Sequence, residues 1–83
     1  MNKNEAEYKV GDLFQKPLSY QKYIYGLLIK IDKATPPWTK QVQIMYTIEW
    51  YDKDRINTLK YDVFELESYC LSNAIYGWKH IPQ

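Results

Sequence analysis

The chain has 83 residues, 17% of them aromatic, with eleven Lys and Arg against ten Asp and Glu and a formal net charge of +1. That length holds one domain and not two, and the near balance of charge excludes a strong global field for capturing nucleic acid or an anionic membrane. A single cysteine, Cys70, and a single histidine, His80, exclude an intramolecular disulfide and a zinc site of four N or S ligands.

A domain this small buries only about 60% of the surface its unfolded chain exposes, so its core must be efficient. Nine Tyr, three Trp and two Phe meet that need, since each buried ring removes about 150–250 Å² from water. No cofactor is expected. With no signal-like leader, no long apolar run and no disulfide, a soluble, cytoplasmic protein is expected, without a membrane partner.

In chain order, residues 1–7 read as a flexible polar lead-in, and residues 8–83 as the domain. Tyr8 to Phe14 forms a first strand punctuated by Gly11-Asp12, followed by a loop from Gln15 to Tyr23 containing Pro17. Ile24 to Lys33 is a second strand, with Tyr25, Leu27, Ile29 and Ile31 expected on one face and Gly26 at a bend or bulge. Pro36-Pro37-Trp38 marks a loop, because consecutive prolines cannot join a central ladder. Gln41 to Trp50 alternates with period two, placing Val42, Ile44, Tyr46, Ile48 and Trp50 on the apolar face. A polar turn over residues 51–55 leads to a returning strand, Ile56 to Tyr61. Asp62, with Glu65 three residues later, has the spacing of a helix cap. Val63, Leu66 and Cys70 then recur at helical spacing up to Leu71, with Ser72-Asn73 closing the helix. Tyr76 to Ile81 forms the last strand.

The expected fold is mainly β: a five-stranded SH3-like barrel with one short helix before the last strand. Val10-Gly11-Asp12-Leu13, Tyr25-Gly26-Leu27-Leu28-Ile29, Ile48-Glu49-Trp50-Tyr51-Asp52 and the ending Trp78-Lys79-His80-Ile81-Pro82 carry a resemblance. The chain resembles Tudor- or KOW-like SH3 barrels and, more narrowly, short proteins of tailed phages infecting marine cyanobacteria. That resemblance covers residues 8–82. It implies a fold and a viral origin, with the host cytoplasm or the virion as location, and brings no catalytic residues.

No catalytic arrangement emerges from the residues. Cys70 falls on the inward side of the helix and reads as structural rather than as half of a dyad with His80. Asp52 and Asp54 read as turn formers, and the glycines are too isolated for a phosphate loop. A binding or adaptor role is therefore expected, not an enzyme. A protein partner is the leading expectation, with Trp38, Tyr20, Tyr23, Tyr51 and Asp52 as contact residues; Trp38 either folds over the domain or is offered to a partner. Trp50 reads as core. The alternative is weak single-stranded nucleic-acid binding, in which Lys16, Lys22, Lys33 and Lys40 meet phosphates and loop aromatics stack on bases, if the two long loops converge. A third reading is a homo-oligomeric virion accessory protein using the face of Met45 and Thr47; the oligomeric state stays open.

Overall fold

The computed structural model describes residues 8–19, 22–52, 55–71 and 77–83. Five antiparallel strands, β1 (Leu13–Ser19), β2 (Lys22–Ala34), β3 (Gln43–Asp52), β4 (Arg55–Asp62) and β5 (Lys79–Ile81), form one sheet in the order β4-β3-β2-β1-β5. One helix, α1 (Val63–Leu71), precedes β5. The sheet is open: β4 and β5 are its two edges, and no pairing between them closes it among the described residues. The lead-in, the residues assigned to end the helix, Ser72-Asn73, and the expected start of the last strand at Tyr76 lie outside the described residues. No helix among the described residues is long and apolar enough to cross a membrane.

The first strand begins later than its sequence indicates. Tyr8 to Asp12 makes a turn in which Asp12 N donates to Lys9 O. Gly11 has φ +101°, and Gly11 N donates to Leu28 O while Leu28 N donates to Asp12 O. Two residues thus oppose one across the ladder, an arrangement whose positive φ selects glycine. β1 then runs on through Pro17, paired with Tyr23. Counting from the bonded pair Asp12–Leu28, the alternation puts Pro17 at a non-bonded position facing away from β2. On that side β5 has already ended, at the Gln15–Lys79 pair. The missing N–H therefore costs no ladder bond, and the expected loop is strand up to Ser19.

The residues expected on one face of β2 do not all stay together. Ile24, Gly26 and Leu28 point inward, while Tyr25 and Ile29 are exposed. The register passes from Leu28–Ile48 to Lys30–Thr47, leaving Ile29 as an extra residue. This bulge shifts the phase by one, so of the four residues expected on one face only Ile31 packs against the core. Gly26 is no bulge. It faces Trp50 across the ladder, and a Cβ there would lie 2.6 Å from Ile48 Cγ2 and 2.7 Å from the Trp50 ring.

β3 follows its pattern: Ile44, Tyr46, Ile48 and Trp50 are buried, although Val42 is exposed before the strand begins. β4 pairs with β3 without irregularity from Asp62–Met45 to Arg55–Asp52. Asp62 Oδ1 accepts from Glu65 N at 2.7 Å, and α1 starts at Val63 as its cap requires. Val63 and Leu66 insert into the core, each contributing about 1.5–3 kcal/mol by burial, whereas Phe64 and Leu71 face solvent.

Candidate binding surfaces

Two aromatic clusters occupy the inner side of the sheet. In the first, the His80 ring stacks on Phe14 at 5.2 Å and meets Tyr8 edge-on at 4.7 Å, with Tyr46 behind Tyr8. Asp12, only 2% exposed, receives hydrogen bonds from Lys9 N at 3.0 Å and Gln83 N at 3.2 Å, and its carboxylate lies 3.0 Å from His80 Nε2. Burial acts to raise the Asp12 pKa, but these bonds and the neighbouring imidazole outweigh it and hold the carboxyl below its ordinary value. The cluster ties the N-terminal turn to β5. Cys70 packs beside it, its thiol pushed up to about 11 by burial despite a hydrogen bond with Tyr8, far from the thiolate form at neutral pH.

In the second cluster Trp78 meets Trp50 edge-on at 4.9 Å and Tyr61 at 5.2 Å, and stacks on Tyr69 at 4.6 Å. Burial raises the Tyr61 phenol, an effect partly offset by the neighbouring Trp50 indole. Lys16 Nζ lies 5.2 Å from the Trp50 ring and 5.7 Å from Trp78, within range of cation–π attraction. This cluster opens onto a groove of about 320 Å³. Lys16 and Leu18 of β1 and Arg55, Asn57 and Leu59 of β4 line it, with Ile24, Trp50 and Asp52 between them. β1 and β4 are not neighbours in the sheet, so the sheet bends far enough for them to share a groove without pairing.

The outer face carries a different surface. Gln15, Tyr25, Tyr51 and Ile56 are successive cross-strand partners on β1, β2, β3 and β4. Tyr25, Tyr51 and Ile56 are all exposed, as is Tyr23 two residues before Tyr25 on the same face. Gln15 Nε2 donates to Tyr25 Oη at 3.3 Å, and Tyr51 Oη donates to a Glu49 carboxylate oxygen. That acceptor raises the Tyr51 phenol above its ordinary range.

The residues expected to bind a partner are therefore distributed over several places. Tyr23 and Tyr51 share the outer row, Asp52 lies in the groove, and Tyr20 lies outside the described residues. Trp38 is 73% exposed, which settles the orientation that its sequence left open. It sits in the β2–β3 connection, where Thr39 N bonds to Pro36 O and Gln41 N to Thr39 Oγ1. The four lysines do not converge. Lys16 and Lys22 lie at one end of β2, while Lys33 and Lys40 lie at the other; Lys22 and Lys33 are eleven residues of strand apart, or about 36 Å at about 3.3 Å per residue. Thr47 is buried, so the face with Met45 is not freely offered.

Tyr25, Ile56, Arg55 and the Asp12–His80 pair went unnoticed in the sequence. Only the pairing register brings the first three into their surfaces, and 68 residues separate Asp12 from His80. Compared with family models, curated proteins and solved structures, the chain matches none.

Proposed function

We propose that this chain is a non-catalytic binding domain of SH3-like barrel type that docks on a protein partner. The strand order with a helix before the last strand supports the barrel type. The single observation that carries the docking role is the outer row of Tyr23, Tyr25, Tyr51 and Ile56, four large apolar side chains left exposed side by side. Tyrosine gives broad contact area at low entropic cost and keeps its hydroxyl hydrogen-bonded, which makes it a favoured interface anchor. Trp38 supplies a second, separate anchor. With the resemblance to tailed-phage proteins, the partner is a host or virion protein.

The test is capture of a partner by the intact chain, identified by mass spectrometry and measured against a Tyr25→Ser/Tyr51→Ser double variant and a Trp38→Ser variant. All three positions are exposed, so the variants keep the fold. The double variant is expected to weaken binding by at least about tenfold, the equivalent of 1.4 kcal/mol; unchanged capture removes the outer row from the site. The same exposed tyrosines favour a second reading, stacking of single-stranded bases. That reading predicts affinity for a labelled oligonucleotide that falls steeply with salt, because phosphate contacts release counterions.

A further inference from the structure

β4 is the open edge of this sheet. It runs eight residues, Arg55–Asp62, bonded along its whole length to β3 without a bulge. Residues 55–60 are all exposed. The strand contains no proline, and Ile56-Asn57-Thr58-Leu59 is an uncharged run. The other edge is protected differently: β5 is three residues long, and β1 beyond it carries Pro17 and a register shift. Edge strands present a regular row of unpaired N–H and C=O groups that pairs readily with another extended chain. Of the two edges among the described residues, only β4 offers that row at length.

The side chains alternate along the same strand. By register Arg55, Asn57 and Leu59 share the face of Asp52, Trp50 and Ile48 and line the groove with Lys16, Leu18 and Ile24, with Thr58 at its rim, while Ile56 continues the outer tyrosine row. Among the described residues, two cations, Lys16 and Arg55, stand in the groove against one acid, Asp52, which already has a partner. Its apolar part is Trp50 and Ile24 between half-exposed Leu18 and Leu59.

We infer that β4 accepts an extended acidic peptide as an added strand, with alternate side chains entering this groove. The inference rests on the protein-docking reading and names the segment that the partner presents. Main-chain bonds to β4 supply affinity, and the groove supplies specificity for alternating positions. Inward residues of the peptide alternate between a carboxylate, which meets Lys16 and Arg55, and an apolar side chain, which packs on Leu18, Leu59 and Trp50. Outward residues extend the row that ends at Ile56. A second copy of the chain fits less well. Its own β4 turns Arg55 to the groove face, and its one acid, Asp62, is committed to capping α1, so self-pairing brings a cation to a cationic groove.

The experiment pans a random library of eight-residue peptides, the length of β4, against the full chain and follows β4 amide hydrogen exchange with the enriched peptides. Enrichment of acidic and apolar residues at alternating positions, with slowed exchange in β4, supports strand addition. N-methylation of alternate peptide amides then abolishes binding in one parity and is tolerated in the other. Arg55→Glu, at an exposed position, weakens the acidic peptides at least about tenfold. Enrichment of basic peptides, unprotected β4 amides, equal tolerance of both N-methylation patterns, or protection of β4 by dimerisation alone each overturns the inference. If strand addition fails while the Tyr25/Tyr51 double variant still loses its partner, docking stands without β4. If partner capture also survives the tyrosine substitutions, the docking reading has failed as well.

Discussion

The two aromatic clusters are built from similar parts and put to different use. Each sets a basic side chain against aromatic rings, His80 against Phe14 and Tyr8, Lys16 against Trp50 and Trp78. The first also encloses a carboxylate, Asp12, which gives its basic group a fixed counter-charge and spends its own acceptor capacity on two backbone N–H groups. Among the described residues the second has no such acid set among its rings, and it opens onto a groove. A buried charge with every partner in place holds elements together. A cation held on ring faces at the edge of a groove keeps its charge available to a ligand. The first cluster therefore acts as a clasp between the chain's two ends and the second as a receptive surface.

Substitutions separate the two roles. Asp12→Ala is expected to cost the most, about 3 kcal/mol by denaturant unfolding, because it removes three hydrogen bonds to a charged acceptor in a buried place. A loss below about 1 kcal/mol would break the contrast. The same clasp has a pH signature. The folded Asp12 pKa is depressed, so the unfolded chain takes up the proton first on acidification. Its stabilisation is complete above the ordinary carboxyl value of 3.8 and is lost as pH falls below it through the folded value. In Asp12→Asn, acid unfolding curves should lack this part of the slope.

Gly26→Ala comes next, at about 1–3 kcal/mol, since the new methyl presses on Ile48 and on the Trp50 ring that floors the groove. Unchanged stability would mean that Trp50 moves freely, against its role as a fixed floor. Asp62→Ala removes the cap of the helix that carries Tyr69 onto Trp78, at about 1 kcal/mol by thermal unfolding. Lys16→Met should cost the least, below about 1 kcal/mol, as only a partly exposed cation–π contact is lost. Its effect belongs on ligand binding instead.

Local signals carried the sequence reading a long way. The strict alternation from Ile44 to Trp50 and the Asp62 cap placed β3 and α1, because a strand's faces and a helix's first turn depend on residues a few positions apart. β1 and β2 were less legible. A proline at a non-bonded position looks the same in sequence as one that breaks a ladder, and a bulge at Ile29 reverses the faces without any residue that announces it. Periodicity therefore groups Tyr25 with Leu27, Ile29 and Ile31 without saying that Tyr25 faces solvent and Ile31 the core.

By itself the sequence determined a small, aromatic-rich, mainly β domain with its helix before the last strand, since period, capping and composition are properties of neighbouring residues. The tertiary structure alone decided that Tyr25 and Trp38 stand in solvent, set Lys33 and Lys40 far from Lys16 and Lys22, joined Asp12 to His80 and opened the edge at β4. Each of those outcomes depends on register, and register is settled by which faces can be buried together across the whole sheet.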